Sequence, residues 1–246
     1  MIILFSPSEA KSEDGIYSHF NKNSFLFPTL YDKRLVALKT YQNYLKIATK
    51  NQLSKLCGIK QTDTLDKLKR LDIFANKTKK AINRYTGVGY EYLQYNTLDK
   101  ESQNFIENHM IIFSNLFGPI MAKDHIPFYK LKQSEKIDNF SFENHYKESF
   151  SNQLDIFLAN RFIVDLRAGF YNKIYKPNKN YLTFKFLKNE KVLSHWAKAY
   201  RGILAREIAL KKPSNEKEFL DIEFPNLKIR EIKKIGKRKE FIFDII

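Results

Sequence analysis

Cysteine, proline and glycine are scarce in this chain: its 246 residues include one Cys, seven Pro and eight Gly. With Cys57 alone there is no internal disulfide framework and no zinc cluster built on thiolates, and a reducing compartment is expected. No Pro/Gly-rich linker, low-complexity tract or internal repeat divides the sequence, so residues 1–246 are expected to form a single domain with a helical sub-region at 29–84. Long apolar runs are also missing. The opening Met1-Ile2-Ile3-Leu4-Phe5 stops at Ser6 and no basic segment precedes it, which fits neither a signal peptide nor a membrane span. The expectation is a cytoplasmic protein with no membrane partner.

The phosphate-binding patterns GxxxxGK[ST] and GxGxxG are absent, and His19, His109, His125, His145 and His195 show no paired metal spacing. Neither P-loop hydrolysis nor a dedicated metal site is expected, no cofactor is called for, and a monomer is favoured.

Acidic residues are outnumbered. Lys and Arg total 43 against 27 Asp and Glu, a formal net charge of +16. A field of that sign concentrates phosphate-bearing partners, and release of their counterions drives binding. Lysines that merely solvate exposed faces would give the same count, and because the positives recur along the whole chain the sequence defines no patch.

With 43% hydrophobic residues the chain has material for a sizeable core. Met1–Phe5 reads as a buried strand. Between Thr29 and Lys50, Leu35, Leu38, Tyr41, Leu45 and Ala48 recur at helical spacing. Shorter helices are expected at Asn51–Leu56, Asp63–Leu71 and Ile73–Arg84, then a glycine loop at Tyr85–Tyr90 entering an extended piece. Asp99 is placed as N-cap of a helix through His109. Strands follow at Met110–Phe113 and Phe162–Leu166 around a helix at Asn144–Asn160. After these come a strand at Tyr181–Leu187, a helix at Ser194–Lys211, and a hairpin of Leu227–Ile235 with Arg238–Ile245 turning at Gly236-Lys237. Interleaved helices and strands specify an α/β (mixed α+β) fold, a central mixed β-sheet surrounded by helices.

Four segments carry chemistry. Ser6-Pro7-Ser8-Glu9-Ala10-Lys11 follows the first strand, where open α/β sheets place their crevices, and its hydroxyls, carboxylate and ammonium suit phosphate binding or acid/base work as well as an ordinary strand cap. Leu53–Lys60 resembles the hairpin of a helix-hairpin-helix module, in which backbone amides around a glycine hold a DNA phosphate. Here Gly58 is present and Lys60 stands at the second glycine position, so a plain helical corner with a glycine C-cap fits equally. Asp165 and Arg167, at the mouth of a strand, form either a phosphate-binding pair or a buried ion pair. Lys198, Arg201 and Arg206 line one side of the last long helix, beside Gly202.

Taken in order, these segments together with Thr86-Gly87-Val88-Gly89-Tyr90, Leu116-Phe117-Gly118, Asp124, Pro127, Tyr129, Leu131, Gly169 and Tyr171 resemble the YaaA family of peroxide-stress proteins over nearly the whole chain. The opening FSPSEAK is similar to the branch beginning PPSEGK and differs from the SPAK opening of enteric members by a shifted Lys11. The resemblance implies an unusual α/β fold around a mixed sheet, a cytosolic role in limiting iron-dependent oxidative damage, and DNA binding through a basic cleft with a helix-hairpin-helix-like element. The expected function is sequence-nonspecific binding of duplex or distorted DNA through Gly58, Lys60, Lys198, Arg201 and Arg206, with Tyr90 and Tyr129 stacking on exposed bases. The rival expectation is an enzyme acting on a nucleotide or nucleic acid with Ser6, Glu9, Lys11, Asp165 and Arg167 as candidate catalytic groups.

Overall fold

The computed structural model describes residues 1–192 and 196–246. Ser194 and His195, the expected start of the last long helix, lie outside the described residues. The strands are β1 (Ile2–Phe5), β2 (Thr78–Lys80), β3 (Met110–Ser114), β4 (Gly118–Met121), β5 (His125–Pro127), β6 (Ile163–Asp165), β7 (Tyr181–Lys188), β8 (Lys191–Val192), β9 (Leu227–Ile235) and β10 (Arg238–Ile245). The helices are α1 (Tyr31–Ile47), α2 (Lys50–Cys57), α3 (Thr62–Lys69), α4 (Ala81–Arg84), α5 (Val88–Leu93), α6 (Lys100–His109), α7 (Phe142–Leu158), α8 (Ala197–Lys211) and α9 (Glu216–Leu220).

The main sheet runs β4-β3-β1-β6-β7-β10-β9, with β8 paired to β7. Its centre is parallel: β1 pairs β3 and β6, β6 pairs β7, and β7 pairs β10. Antiparallel strands close the two ends, β4 on β3 and β9 on β10. β1, β3 and β6 are buried along their whole length, which is why they read as unbroken apolar runs rather than alternating ones. From β1 the chain crosses to β3 on one side, whereas β6 leads to β7 on the other. The connections leaving their carboxyl ends therefore diverge and leave a crevice, the switch point at which open sheets bind ligands.

Most expected elements are found within a residue or three of their positions, including the Asp99 N-cap, whose carboxylate accepts from the Ser102 N–H at 2.9 Å. Two differ. Ile73–Arg84 was expected to be one helix, but only Ala81–Arg84 is helical. Thr78–Lys80 pairs with β5, Thr78 also bridges to Tyr17, and the Ile73 N–H is held by Gln42 Oε1 at 2.8 Å. Tertiary pairing of these backbone groups overrides the local periodicity. The expected loop at Tyr85–Tyr90 instead turns at Gly87, with φ of 97°, and enters α5 directly. A side chain at Gly87 would meet Ser8 Oγ, so the glycine serves both the positive φ and the close approach of the β1 loop.

Charged groups inside the core act as pins. Arg34 sits one turn before Leu38 on the buried stripe of α1, wholly buried between the rings of Phe25 and Phe150, and donates to the carbonyls of Leu26 and Pro119. Asp124 accepts from the Leu26 and Met121 N–H groups at 2.8 and 2.9 Å, tying the chain before α1 to β4.

Candidate nucleic-acid interface

A cavity of about 320 Å³ opens at the carboxyl ends of β1 and β6. The loop after β1 supplies Ser6, Ser8 and Glu9, the loop after β6 supplies Ala168 and Tyr171, α5 supplies Val88 and Tyr90, and the N-terminal part of α8 supplies Lys198 and Arg201. The first and fourth sequence segments therefore converge on one site. Their meeting depends on Gly202, where a Cβ would run into the carbonyl oxygen of Gly89; α8 crosses α5 that closely because this position has no side chain.

Lys198 is exposed and Arg201 half-buried. Among the described residues neither has a hydrogen-bond or ion-pair partner within the protein. Burial lowers the Arg201 pKa from its ordinary value, with the nearby Asp165 opposing. A guanidinium withdrawn from water without a bonded acceptor is set to take an anion.

The loop after β1 is fixed by its own bonds. Ser6 Oγ accepts from the Ala168 N–H at 2.9 Å, and the Tyr90 hydroxyl donates to the Ser6 carbonyl at 2.9 Å. Glu9 is exposed, and its carboxylate accepts from the Gln133 N–H at 3.3 Å. Lys11 lies behind this loop. Its ammonium donates to the carbonyls of Ser8 and Glu9 at 2.8 and 3.3 Å and stands 4.2 Å from the Tyr129 ring centroid. Burial, reinforced by Lys130 and opposed by Glu9, pushes its pKa down to about 7. Beneath it Tyr85, Tyr129 and Ser114 share a hydroxyl chain with two links of 2.8 Å.

Three expected contacts are relocated. Tyr129, expected to stack on bases, is 1% exposed and engaged in that hydroxyl chain. Asp165 and Arg167 form a buried ion pair at 2.7 Å. Arg167 Nη1 donates to the carbonyls of Tyr171 and Tyr175, and the guanidinium carbon lies 4.2 Å from the Phe113 centroid. Four of the five guanidinium N–H donors are thus taken up inside the protein, which is the arrangement of a buried structural ion pair. Arg206 lies five residues beyond Arg201, about 140° round the helix. It donates to the carbonyls of Leu93 and Gln94 and to Thr97 Oγ1, capping the end of α5.

The second segment forms a corner between α2 and α3. Gly58 is the left-handed C-cap of α2, with φ of 69°, and Lys60 is exposed beyond it. Lys132 packs beside Gly58, and its N–H bonds the Leu56 carbonyl at 2.9 Å. Lys132 is followed by Gln133, a wall residue of the cavity, so the corner adjoins the same side of the molecule. Cys57 is buried, its thiol donates to the Lys130 carbonyl at 3.3 Å, and burial pushes its pKa up to about 12.

Sequence reasoning missed Ala168 and Gln133 as cavity walls, since small or amide residues in loops carry no pattern. It also missed Arg34 as a core residue, although the spacing 34, 38, 41, 45 sets it on the apolar stripe. Among the described residues no three His, Cys, Asp or Glu side chains gather to hold a metal ion, and no helix is long and apolar enough to cross a membrane.

Fold and cavity together define an α/β protein with a cationic pocket at the switch point of a mixed sheet. Residues 1–233 match the family model described as peroxide stress protein YaaA, and the chain belongs to that family. An uncharacterized protein of Campylobacter jejuni is 49% identical over 246 residues, the whole of both chains. A UPF0246 protein of Corynebacterium glutamicum is 30% identical over 235 residues, covering 90% of this chain and 91% of the relative. Another from Rickettsia conorii is 28% identical over 185 residues, covering 74% and 69%.

Proposed function

We propose that this protein binds DNA in the cytosol by its backbone phosphates, without reading base sequence, as its part in resistance to peroxide. The observation that carries this reading is the pair Lys198 and Arg201, set without a partner among the described residues at the mouth of a concave site in a chain of net charge +16. Phosphate contacts of this kind position a duplex and carry no sequence information. Lys60, exposed at the α2–α3 corner, extends the cationic surface. In this reading coverage of DNA limits iron-dependent oxidative damage; the family's description as a peroxide stress protein supports the link to peroxide stress. The test is fluorescence anisotropy with duplexes of unrelated sequence across a salt series. Steep loss of affinity with salt and equal affinity between sequences is the expected result, and salt-independent binding overturns the reading.

A second reading, an enzyme acting on a nucleotide, is favoured by the concave cavity with Glu9 and Ser6 in its wall. If Glu9→Gln leaves turnover of every nucleotide tested unchanged, that reading falls.

A further inference from the structure

A duplex laid across Lys198 and Arg201 leaves the cavity behind them unused. That cavity has a volume of about 320 Å³, at the lower end of the range that holds small ligands and far too small for a double helix. Its apolar lining comes from Phe5, Val88, Leu166 and Ala168, with Tyr90 and Tyr171. The same lining carries polar groups with donors to spare. Ser6 and Ser8 accept backbone N–H bonds through Oγ, which leaves their own protons free, and the Gln133 side-chain amide nitrogen has no acceptor among the described residues. The two cations stand on the α8 side. A phosphate, a flat apolar body and a few hydrogen-bonding edges are what these three sets of groups complement.

We infer that the cavity is a subsite for one nucleotide, its phosphate held by Lys198 and Arg201 and its base lying against the apolar lining. This rests on the phosphate-binding reading above and adds the ligand class. The same chemistry arrives either as a free nucleoside 5′-monophosphate or as an unpaired nucleotide turned out of a strand. In both cases Arg201 gains a bonded anion, which it has from no side chain among the described residues, and the aromatic lining contributes the sequence-tolerant contacts that single bases make with aromatic rings.

The experiment uses the full chain and two cavity-filling variants that keep both cations, Ala168→Trp inside the cavity and Val88→Trp at its exposed rim. Binding of adenosine and thymidine 5′-monophosphates is measured by calorimetry, with inorganic phosphate as control. Binding of a perfect duplex and of one with a single bulged nucleotide is measured by anisotropy. Wild type is expected to bind a monophosphate more tightly than inorganic phosphate, and a correctly folded filling variant to lose about tenfold or more of that affinity while holding the perfect duplex unchanged. A preference for the bulged duplex that the fillers abolish identifies the strand as the source. Monophosphate binding without that preference identifies the free nucleotide. Duplex binding with no monophosphate binding and no bulge preference overturns the subsite and leaves the phosphate-binding reading standing. Monophosphate binding with no duplex binding at low salt does the reverse.

Discussion

Replacing Lys11 by Met should change how stability depends on pH. The amine lies by the rings of Tyr85 and Tyr129, within the field of Lys130, Glu9, Arg84 and Cys57, with carbonyls as its only acceptors among the described residues. Its ordinary pKa of 10.5 falls to about 7 in the folded protein because burial disfavours the charged form and Lys130 repels it. Between those values the unfolded chain holds one more proton than the native one, so native stability rises with pH across the window and levels off below it. The slope is about 1.4 kcal/mol per pH unit, and the full window is worth about 5 kcal/mol as an upper figure. Methionine fills much of the same volume and does not titrate. In urea unfolding at pH 7.5 and 9.0, the stability of wild type relative to Lys11→Met should therefore grow by about 2 kcal/mol, with the other ionisable groups cancelling in the difference. Parallel stabilities at the two pH values would mean that Lys11 keeps its proton in the fold, and the reasoning about its surroundings would be wrong.

Gly202→Ala drives a methyl group into the Gly89 carbonyl, so it should separate α8 from α5 at a cost of about 1–3 kcal/mol, read as a lower midpoint in thermal unfolding. Unchanged stability would show that the helices have room to spare. Asp165→Ala leaves the Arg167 charge buried without its carboxylate and should cost about 3–5 kcal/mol, measured by denaturant unfolding; a cost under 1 kcal/mol would refute the buried pair. Cys57, with its thiol pKa raised to about 12, is almost wholly protonated at neutral pH and should resist millimolar peroxide, as followed by mass spectrometry. Rapid conversion to sulfenic acid in the folded protein would contradict that.

The elements that were legible in the sequence are those whose pattern is decided locally. β1 and β3 are buried on both faces and show it as unbroken apolar runs, and the β9–β10 hairpin declares itself at Gly236-Lys237. Thr78–Lys80 was not legible, because its strand character comes from pairing with β5 and Tyr17, partners distant in the chain. The site divides in the same way. A loop after the first strand and a basic turn of helix can be read directly, and they meet in the cavity. Whether a given cation is free cannot, since Arg167, Arg201 and Arg206 look alike in the sequence. Only the fold gives Arg167 its carboxylate and Arg206 its helix end, and leaves Arg201 without a partner among the described residues.

That distinction is the most direct test of the whole account. Duplex binding is measured across a salt series for wild type, for Lys198→Ala/Arg201→Ala, and for Arg206→Ala. Removing the two cavity cations should weaken binding and reduce the slope of log affinity against log salt by about 2, whereas Arg206→Ala should leave the slope unchanged and only lower stability. A double variant that binds as wild type does, with the same salt slope, would contradict the placement of the phosphate site at the β1–β6 crevice.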